Sequence, residues 1–449
     1  MCGIFGIANY QNASNIAYYG LRALQHRGQE SAGIASTDGS DLYRYRDMGF
    51  VHECFDNNTL NRLKGYYAIG HVRYSTSGES LLTNSQPFIF NSKIGKIAIA
   101  HNGNLTNYRE LRKELENNGS IFQTDSDTEI FAHLISLSKK NTIEEKIIDS
   151  LLRVKGAYSL LILLKDKLIA IRDPLGIRPL CIGKMDDGSF VFSSESVSFN
   201  LIGAKHFSYV RPGEMFIVDN DGMDHIQYDF VNNTKFCIFE YVYFSRPDSL
   251  INLDFMCKGV YDIRKECGKI LFKESPVNGD NLVVVPVLDS GLSAAVGLAN
   301  SANIPFELGL FRNHYMGRTF IEPKQDIRDL NVKLKFGANK QAVRNKDIIV
   351  VDDSIVRGTT SKKLISILRE CGARSIHMRI SCPPTISPCY YGIDTANKKE
   401  LIAANMSIDE ICKYIGADTL AYLSLDALLN AAGNKDNFCH ACFSGEYPV

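Results

Sequence analysis

Neither sign of charge dominates this chain. Its 449 residues hold 50 Lys and Arg against 50 Asp and Glu, so electrostatics favour neither nucleic acid nor an anionic membrane as a partner. No apolar run approaches the length that spans a bilayer. The first residues, MCGIFGIANY, lack the basic stretch that opens a secretory signal, so the cytoplasm is the expected compartment. Cysteine, at 12 residues, is too sparse to build a disulfide scaffold in a chain this long, which leaves reduced thiols or metal ligands. What is present is an ordinary globular composition, 45% hydrophobic and 22% charged, over a length that suggests about two or three domains.

The stretch that says most is IIVVDDSIVRGTTS, Ile348 to Ser361. Four apolar β-branched residues run into two adjacent carboxylates, Asp352 and Asp353. A small-residue loop follows, with Gly358 between Arg357 and Thr359, and then SKKLISILREC has helical apolar spacing with Gly372 as its C-cap. This predicts strand, loop, helix, with the loop at the carboxyl end of a buried strand, where open α/β sheets place ligands. Backbone N–H groups of such a loop suit an anion such as phosphate, and the carboxylate pair suits sugar hydroxyls or a metal ion. Together they describe a site for a phosphorylated sugar. On the residues alone a bland reading stands beside it, because acidic residues at strand ends are common and one glycine marks many loops. NLVVVPVLDSGLSAAVGLA, Asn281 to Ala299, repeats the logic: a buried parallel strand ends at Asp289, Ser290 and Gly291, and an Ala-rich helix follows.

The first half carries a different inventory. Once the initiator Met is removed, Cys2 would join a thiol and a free α-amine in one residue, and an amine titrating near ~8 can act as base beside the thiol. Otherwise Cys2 is a small buried hydrophobe. Polar groups recur at ALQHRGQESAGI (Ala23 to Ile34), GHVRYSTSG (Gly70 to Gly78), IAIAHNGNLTN (Ile97 to Asn107) and SDTE, where Asp127 reads as a helix start. The set suits glutamine hydrolysis. Arg73 can pair with an α-carboxylate, Asp127 with an α-ammonium, and Asn102 with the Gly103 N–H can form an oxyanion hole. Taken singly, an Arg in a strand and an Asn-Gly step have plain structural uses.

DDSIVRGTTS resembles the loop that binds phosphoribosyl diphosphate (PRPP) in type I phosphoribosyltransferases, in the version carried by the glutamine PRPP amidotransferase (amidophosphoribosyltransferase) family. From Cys2 to about Glu240, including RDPLGIRPL (Arg172 to Leu180) and FSSES (Phe192 to Ser196), the segments resemble class II glutamine amidotransferases in order and wording. The resemblance implies an N-terminal nucleophile hydrolase αββα sandwich over 2–236, then a parallel-sheet α/β phosphoribosyltransferase domain with a C-terminal cluster-binding tail over 237–449. It implies Cys2 as nucleophile and the glutamine roles just given for Arg73, Asp127, Asn102 and Gly103. For PRPP it implies Asp289, Ser290, Gly291, Asp352 and Asp353, with Ser354, Ile355, Val356, Arg357, Gly358, Thr359 and Thr360 around the 5′-phosphate. Leu288 stands where the family has Pro. One Mg²⁺ per subunit is expected at Ser290, Asp352 and Asp353, held largely by substrate oxygens and waters. Residues 313–337 read as a long loop, and the resemblance makes them a lid with Arg318 as a PRPP contact.

Cys439 and Cys442 form a C-x-x-C pair, a spacing shared by zinc and redox motifs. With Cys237 and Cys389 they match the ligand positions of the iron–sulfur subgroup, which implies one [4Fe–4S] cluster per subunit. Four cysteines also suit Zn²⁺. Cys54, Cys181, Cys257, Cys267, Cys371, Cys382 and Cys412 match no ligand position and are read as structural.

The expected activity is glutamine hydrolysis followed by transfer of the ammonia to C1 of PRPP. The products are 5-phosphoribosylamine, glutamate and pyrophosphate, in the first committed step of purine synthesis. The resemblance further implies a homotetramer inhibited by purine nucleotides, with no nucleic-acid or membrane partner. Two other readings remain: another class II amidotransferase, in which DDSIVRGTTS has no place, and a non-catalytic PRPP sensor, which has no use for a glutaminase domain.

Overall fold

The computed structural model describes residues 1–449 apart from 75–78, 231–233, 254–255, 313–335, 394–396 and 434. Two antiparallel sheets fill the first half. The seven-stranded sheet runs in the order Lys205–Tyr209, Cys181–Lys184, Phe190–Ser193, Gly3–Ala8, Tyr67–Arg73, Ser31–Thr37, Leu42–Met48. The six-stranded sheet runs Gly222–Gln227, Glu214–Asp219, Leu168–Arg172, Gly156–Leu163, Gly95–Leu105, Phe88–Ser92.

Period-two alternation explains the layering. On Gly3–Ala8, Ile4 and Ala8 face the other sheet and pack with Ala98, Ala100, Leu161 and Leu168. Phe5 and Ile7 face outward to Leu21 of the helix Ala13–Ala23. The six-stranded sheet is covered by helices Tyr108–Asn117, Glu129–Leu137 and Ile143–Leu151, which contribute Leu111, Leu115, Ile130, Phe131 and Ile147 to a core with Ile99 and Leu160. The result is the expected αββα sandwich. AYSLLILLKDKLIAIRD forms the central hairpin, Ser159 opposite Arg172 and Leu163 opposite Leu168, and every residue of its two strands is buried.

The second half is built on a four-stranded parallel sheet in the order Leu282–Pro286, Asp347–Asp352, Ser375–Ile380, Thr419–Tyr422. The central strand Asp347–Asp352 is buried throughout, which is why Ile348 to Val351 read as a continuous apolar run, whereas its neighbour Ser375–Ile380 alternates at its start, with Ser375 and His377 half-buried. Helices Val260–Glu274 and Leu292–Ala302 cross backbone to backbone: a Cβ at Gly268 would fall on the Ala294 carbonyl oxygen, and one at Gly297 on that of Lys265. Between the halves, Phe236–Cys237 pairs in parallel with Phe438–Cys439 of the tail. A π-helical turn, Glu240–Phe244, follows. Among the described residues no helix is long and apolar enough to cross a membrane.

Candidate active sites

Strand register places Cys2 beside Arg73. Gly3 pairs with Val72, and Arg73 ends the neighbouring strand opposite Ser31. The Cys2 thiol lies 3.5 Å from the Tyr74 carbonyl oxygen, and the Cys2 carbonyl accepts from Arg27 Nε at 3.1 Å. Cys2 is 8% exposed and Arg73 4%, so both stand at the floor of the site. At this end of the sandwich the two sheets meet: His71 Nε2 lies 3.2 Å from the His101 carbonyl oxygen. Burial, then the Arg73 charge, holds His71 down to about 3, so it is neutral at pH 7.

Asn102 follows His101. Its side chain has no exposure, and both amide atoms lack a hydrogen-bond partner among the described residues. A buried amide without partners costs about 1–3 kcal/mol; a substrate oxyanion would satisfy its N–H. Gly103 has φ +155°, and a Cβ there would fall on the Ala157 carbonyl oxygen, so only glycine fits. Asp127 differs from its sequence reading. The helix begins at Glu129, and the Asp127 carboxylate does not cap it; Oδ2 instead accepts the Leu105 N–H at 2.8 Å. That bond reaches across to the oxyanion strand and leaves Oδ1 3.7 Å from His101 Nδ1. The second half also touches this loop: Asn104 Nδ2 donates to the Tyr390 carbonyl at 2.9 Å, and Gly392 packs on Gly103.

The second site lies where two parallel strands end side by side. Pro286 is level with Val351, and Val287 N–H donates to the Val351 carbonyl at 2.8 Å. Ser290 Oγ donates to Asp352 Oδ1 at 2.9 Å, which also accepts the Asp353 N–H at 2.9 Å. Asp352 and Asp353 are 6% and 5% exposed. Burial, then the neighbouring Asp353 charge, pushes the Asp352 carboxyl well up. A cation or a donor-rich sugar would relieve this like-charge pair. Gly358, at φ +73°, turns the loop into the helix Thr359–Glu370, whose first N–H groups face the loop. The helix ends as predicted, with Gly372 at φ +91° donating to the Arg369 carbonyl.

Not every loop residue presents its side chain. Ile355 is 2% exposed and belongs to the core. The Val356 carbonyl accepts the Ile402 N–H. Arg357 pairs with Glu400 at 2.7 Å. Asp289 is outermost, 3.6 Å from Arg312. Arg318 and most of the 313–337 segment lie outside the described residues, as does 75–78 of GHVRYSTSG.

The four expected cluster cysteines come together from three segments. Cys237 is level with Cys439 in their parallel pair. The Cys442 carbonyl accepts from Ile386 and Ser387, and the Cys389 sulfur accepts the Tyr391 N–H at 3.3 Å. Burial raises the Cys237 thiol to about 11 and Cys439 to about 12; Cys442 is raised by burial, then by Cys237, Cys389 and Cys439. Arg178 is wholly buried, with Nε and one terminal nitrogen unpartnered among the described residues. Cys237, Glu240 and Cys389 all favour its charge against the effect of burial. A buried cation 3.9 Å from Glu240, with two nitrogens unpartnered among the described residues and its charge felt by Cys237, Cys389 and Cys439, fits an anionic thiolate cluster. Among the described residues no three His, Cys, Asp or Glu converge as ligands of a single metal ion, and none of the twelve cysteines is in a disulfide. Of the cysteines read as structural, Cys257 is exposed on a hairpin and packs in no core.

Family models agree with the two sites. A glutamine amidotransferase domain matches residues 71–200 and a phosphoribosyl transferase domain matches 259–410. Over its whole length the chain is 48% identical to the amidophosphoribosyltransferase of Bacillus subtilis, covering 94% of that protein. The chain belongs to the amidophosphoribosyltransferase family. It is likewise 48% identical, over its full length, to the family's member in Methanocaldococcus jannaschii, covering 98% of it. The solved B. subtilis glutamine PRPP amidotransferase superposes with a TM-score of 0.93 at 47% identity, covering all of this chain and 97% of that one. The enzyme is thus a glutamine-dependent phosphoribosyltransferase of purine biosynthesis, with an N-terminal nucleophile glutaminase fold joined to a phosphoribosyltransferase fold.

Three residues of this amidophosphoribosyltransferase escaped the sequence reading: Arg27, Glu195 and Glu240. Arg27 binds the Cys2 carbonyl and pairs with both glutamates. Arg27 and Glu195 lay within segments already singled out, HRG and FSSES, but their pairing spans 168 residues, and no local pattern announces it.

Proposed function

We propose that Cys2, with Met1 removed, attacks the side-chain amide carbon of glutamine. Its thiol proton passes to its own α-amine and then to the departing ammonia. The oxyanion takes hydrogen bonds from the Asn102 amide and the Gly103 N–H. Arg73 binds the substrate carboxylate and Asp127 the ammonium. Water cleaves the thioester to give glutamate. Ammonia then attacks C1 of PRPP, held between Asp289–Gly291 and Asp352–Thr360, and pyrophosphate departs. Mg²⁺, when bound near Ser290, Asp352 and Asp353, supplies charge neutralisation of the pyrophosphate. Arg318 is the proposed contact from the 313–337 segment, which would exclude water as a competing nucleophile.

The observation that carries the glutaminase reading is the Asn102 amide, wholly buried and without a partner among the described residues, beside a glycine at which a Cβ would fall on the Ala157 carbonyl oxygen. Cys237, Cys389, Cys439 and Cys442 would hold a [4Fe–4S] cluster in a structural role, with the buried Arg178 charge as support. The solved B. subtilis relative is complexed with ADP and GMP, which supports purine nucleotides as effectors. A homotetramer in the cytoplasm completes the reading. Replacing Cys2 by Ala tests it: glutamine-dependent synthesis should vanish and ammonia-dependent synthesis should persist. Glutamine-dependent turnover in that variant would remove Cys2 from the role.

A further inference from the structure

Arg27 has a fully buried side chain, and every donor it owns is engaged while Met1 is in place; removal of Met1 frees only the donor to its sulfur. Nε holds the Cys2 carbonyl at 3.1 Å. One terminal nitrogen reaches Glu195 Oε1 at 2.5 Å and Glu240 Oε2 at 2.9 Å; the other reaches Glu240 Oε1 at 2.8 Å and the Met1 sulfur at 3.5 Å. The pair with Glu240 is therefore bidentate, the geometry that fixes a guanidinium most tightly. Burial alone favours neutral groups, yet Arg27 is raised, and both glutamates are lowered, because the opposite charges outweigh it.

Both carboxylates are anchored to the junction. Glu240 opens the turn Glu240–Phe244 and accepts Ser245 Oγ at 2.8 Å. Glu195 accepts the Arg246 N–H at 2.9 Å and Ser249 Oγ at 2.7 Å. Arg264, on the first helix of the second half, donates to the Tyr241 and Ser245 carbonyls at 2.6 and 2.8 Å. A chain of buried hydrogen bonds thus runs from the second half, through the junction, to the backbone of Cys2.

We propose that Glu240 is a positioning residue for the glutaminase: it fixes Arg27, which fixes the Cys2 main chain, so the aim of the nucleophile depends on how the second half packs against the first. A carboxylate is needed because a neutral amide offers one acceptor where Arg27 uses two, and its own N–H₂ would face Arg27. Misaiming a nucleophile by a fraction of an ångström is enough to slow attack severely. The inference rests on Cys2 being the nucleophile.

The test uses the full-length enzyme and 6-diazo-5-oxo-L-norleucine, a glutamine analogue that alkylates the nucleophile. Mass spectrometry locates the label, and its rate is measured beside ammonia-dependent synthesis. In E240Q the labelling rate and the glutamine-dependent kcat should fall about tenfold, a typical size for coupling between sites. The KM for PRPP and the ammonia-dependent kcat should stay within about twofold. Equal labelling of E240Q and the unmodified enzyme overturns the proposal, as does a parallel loss of both activities. If E240Q does not fold, S245A, which removes one donor to Glu240, decides: slower labelling alone supports the proposal, and unchanged labelling overturns it. Label found on a residue other than Cys2 in the unmodified enzyme overturns the nucleophile assignment instead.

Discussion

Replacing Gly291 by Ala tests the packing of the PRPP site directly. Gly291 has φ −81°, ψ −8°, which any residue adopts, so backbone strain is no obstacle and sterics alone decide. A Cβ there would fall on the Val351 carbonyl oxygen and lie 2.9 Å from its carbon and 3.0 Å from Asp352 Cα. These are main-chain atoms of a strand bonded on both sides, and the same carbonyl already accepts Val287 N–H. No rotamer change relieves the clash, so the 287–291 loop must move and Ser290 must leave Asp352. Overpacking of this kind costs about 1–3 kcal/mol. Charged against the PRPP-competent geometry, that is roughly a 5- to 150-fold loss of kcat/KM for PRPP. The assay is ammonia-dependent synthesis at varied PRPP, with labelling of Cys2 as a control for the other site. A kcat/KM within about twofold of the unmodified enzyme would refute the reasoning.

Asp353→Ala should impair synthesis with ammonia as much as with glutamine, by about tenfold or more, while the Cys2 thiol still reacts with a glutamine analogue; a defect confined to glutamine would reverse the assignment of the two sites. His71 bears on acid stability. Its folded value of about 3 lies below its ordinary 6.5, so between these the unfolded chain binds a proton that the folded chain does not. Stability contributed at neutral pH is lost as pH falls through 6.5, by about 2 kcal/mol at pH 5. His71→Gln should flatten the stability-versus-pH curve between pH 4 and 6 in chemical denaturation, and an unchanged slope would count against this role. Anaerobic purification should give brown protein with about four irons per chain, bleached by oxygen with loss of solubility. Colourless active enzyme with stoichiometric zinc or no metal would defeat the cluster.

Asp347–Asp352 and Thr359–Glu370 emerged from the sequence as strand and helix because their signals are local. An apolar β-branched run, a small loop, a 3.6-residue period and a glycine past the last turn all lie within about 25 residues of one another. The double sheet of the first half was legible for the same reason, through alternation along single strands. Asp127 shows where local reading ends: its position beside a helix suggested a cap, but the Leu105 N–H, on a strand 22 residues away, takes the carboxylate.

From its order of residues alone, this chain determined its two folds and the loops that carry its chemistry, since periodicity and loop chemistry act between near neighbours. Only the tertiary structure decided which side chains those loops can offer. It sent Ile355 to the core and Arg357 to Glu400, and it joined Arg27 to Glu195 and Glu240 across 168 and 213 residues. Desolvation, the close passage of main chains at Gly291 and pairing of buried charges all depend on which distant atoms meet, and that is settled when the sheets stack and the halves close on the junction.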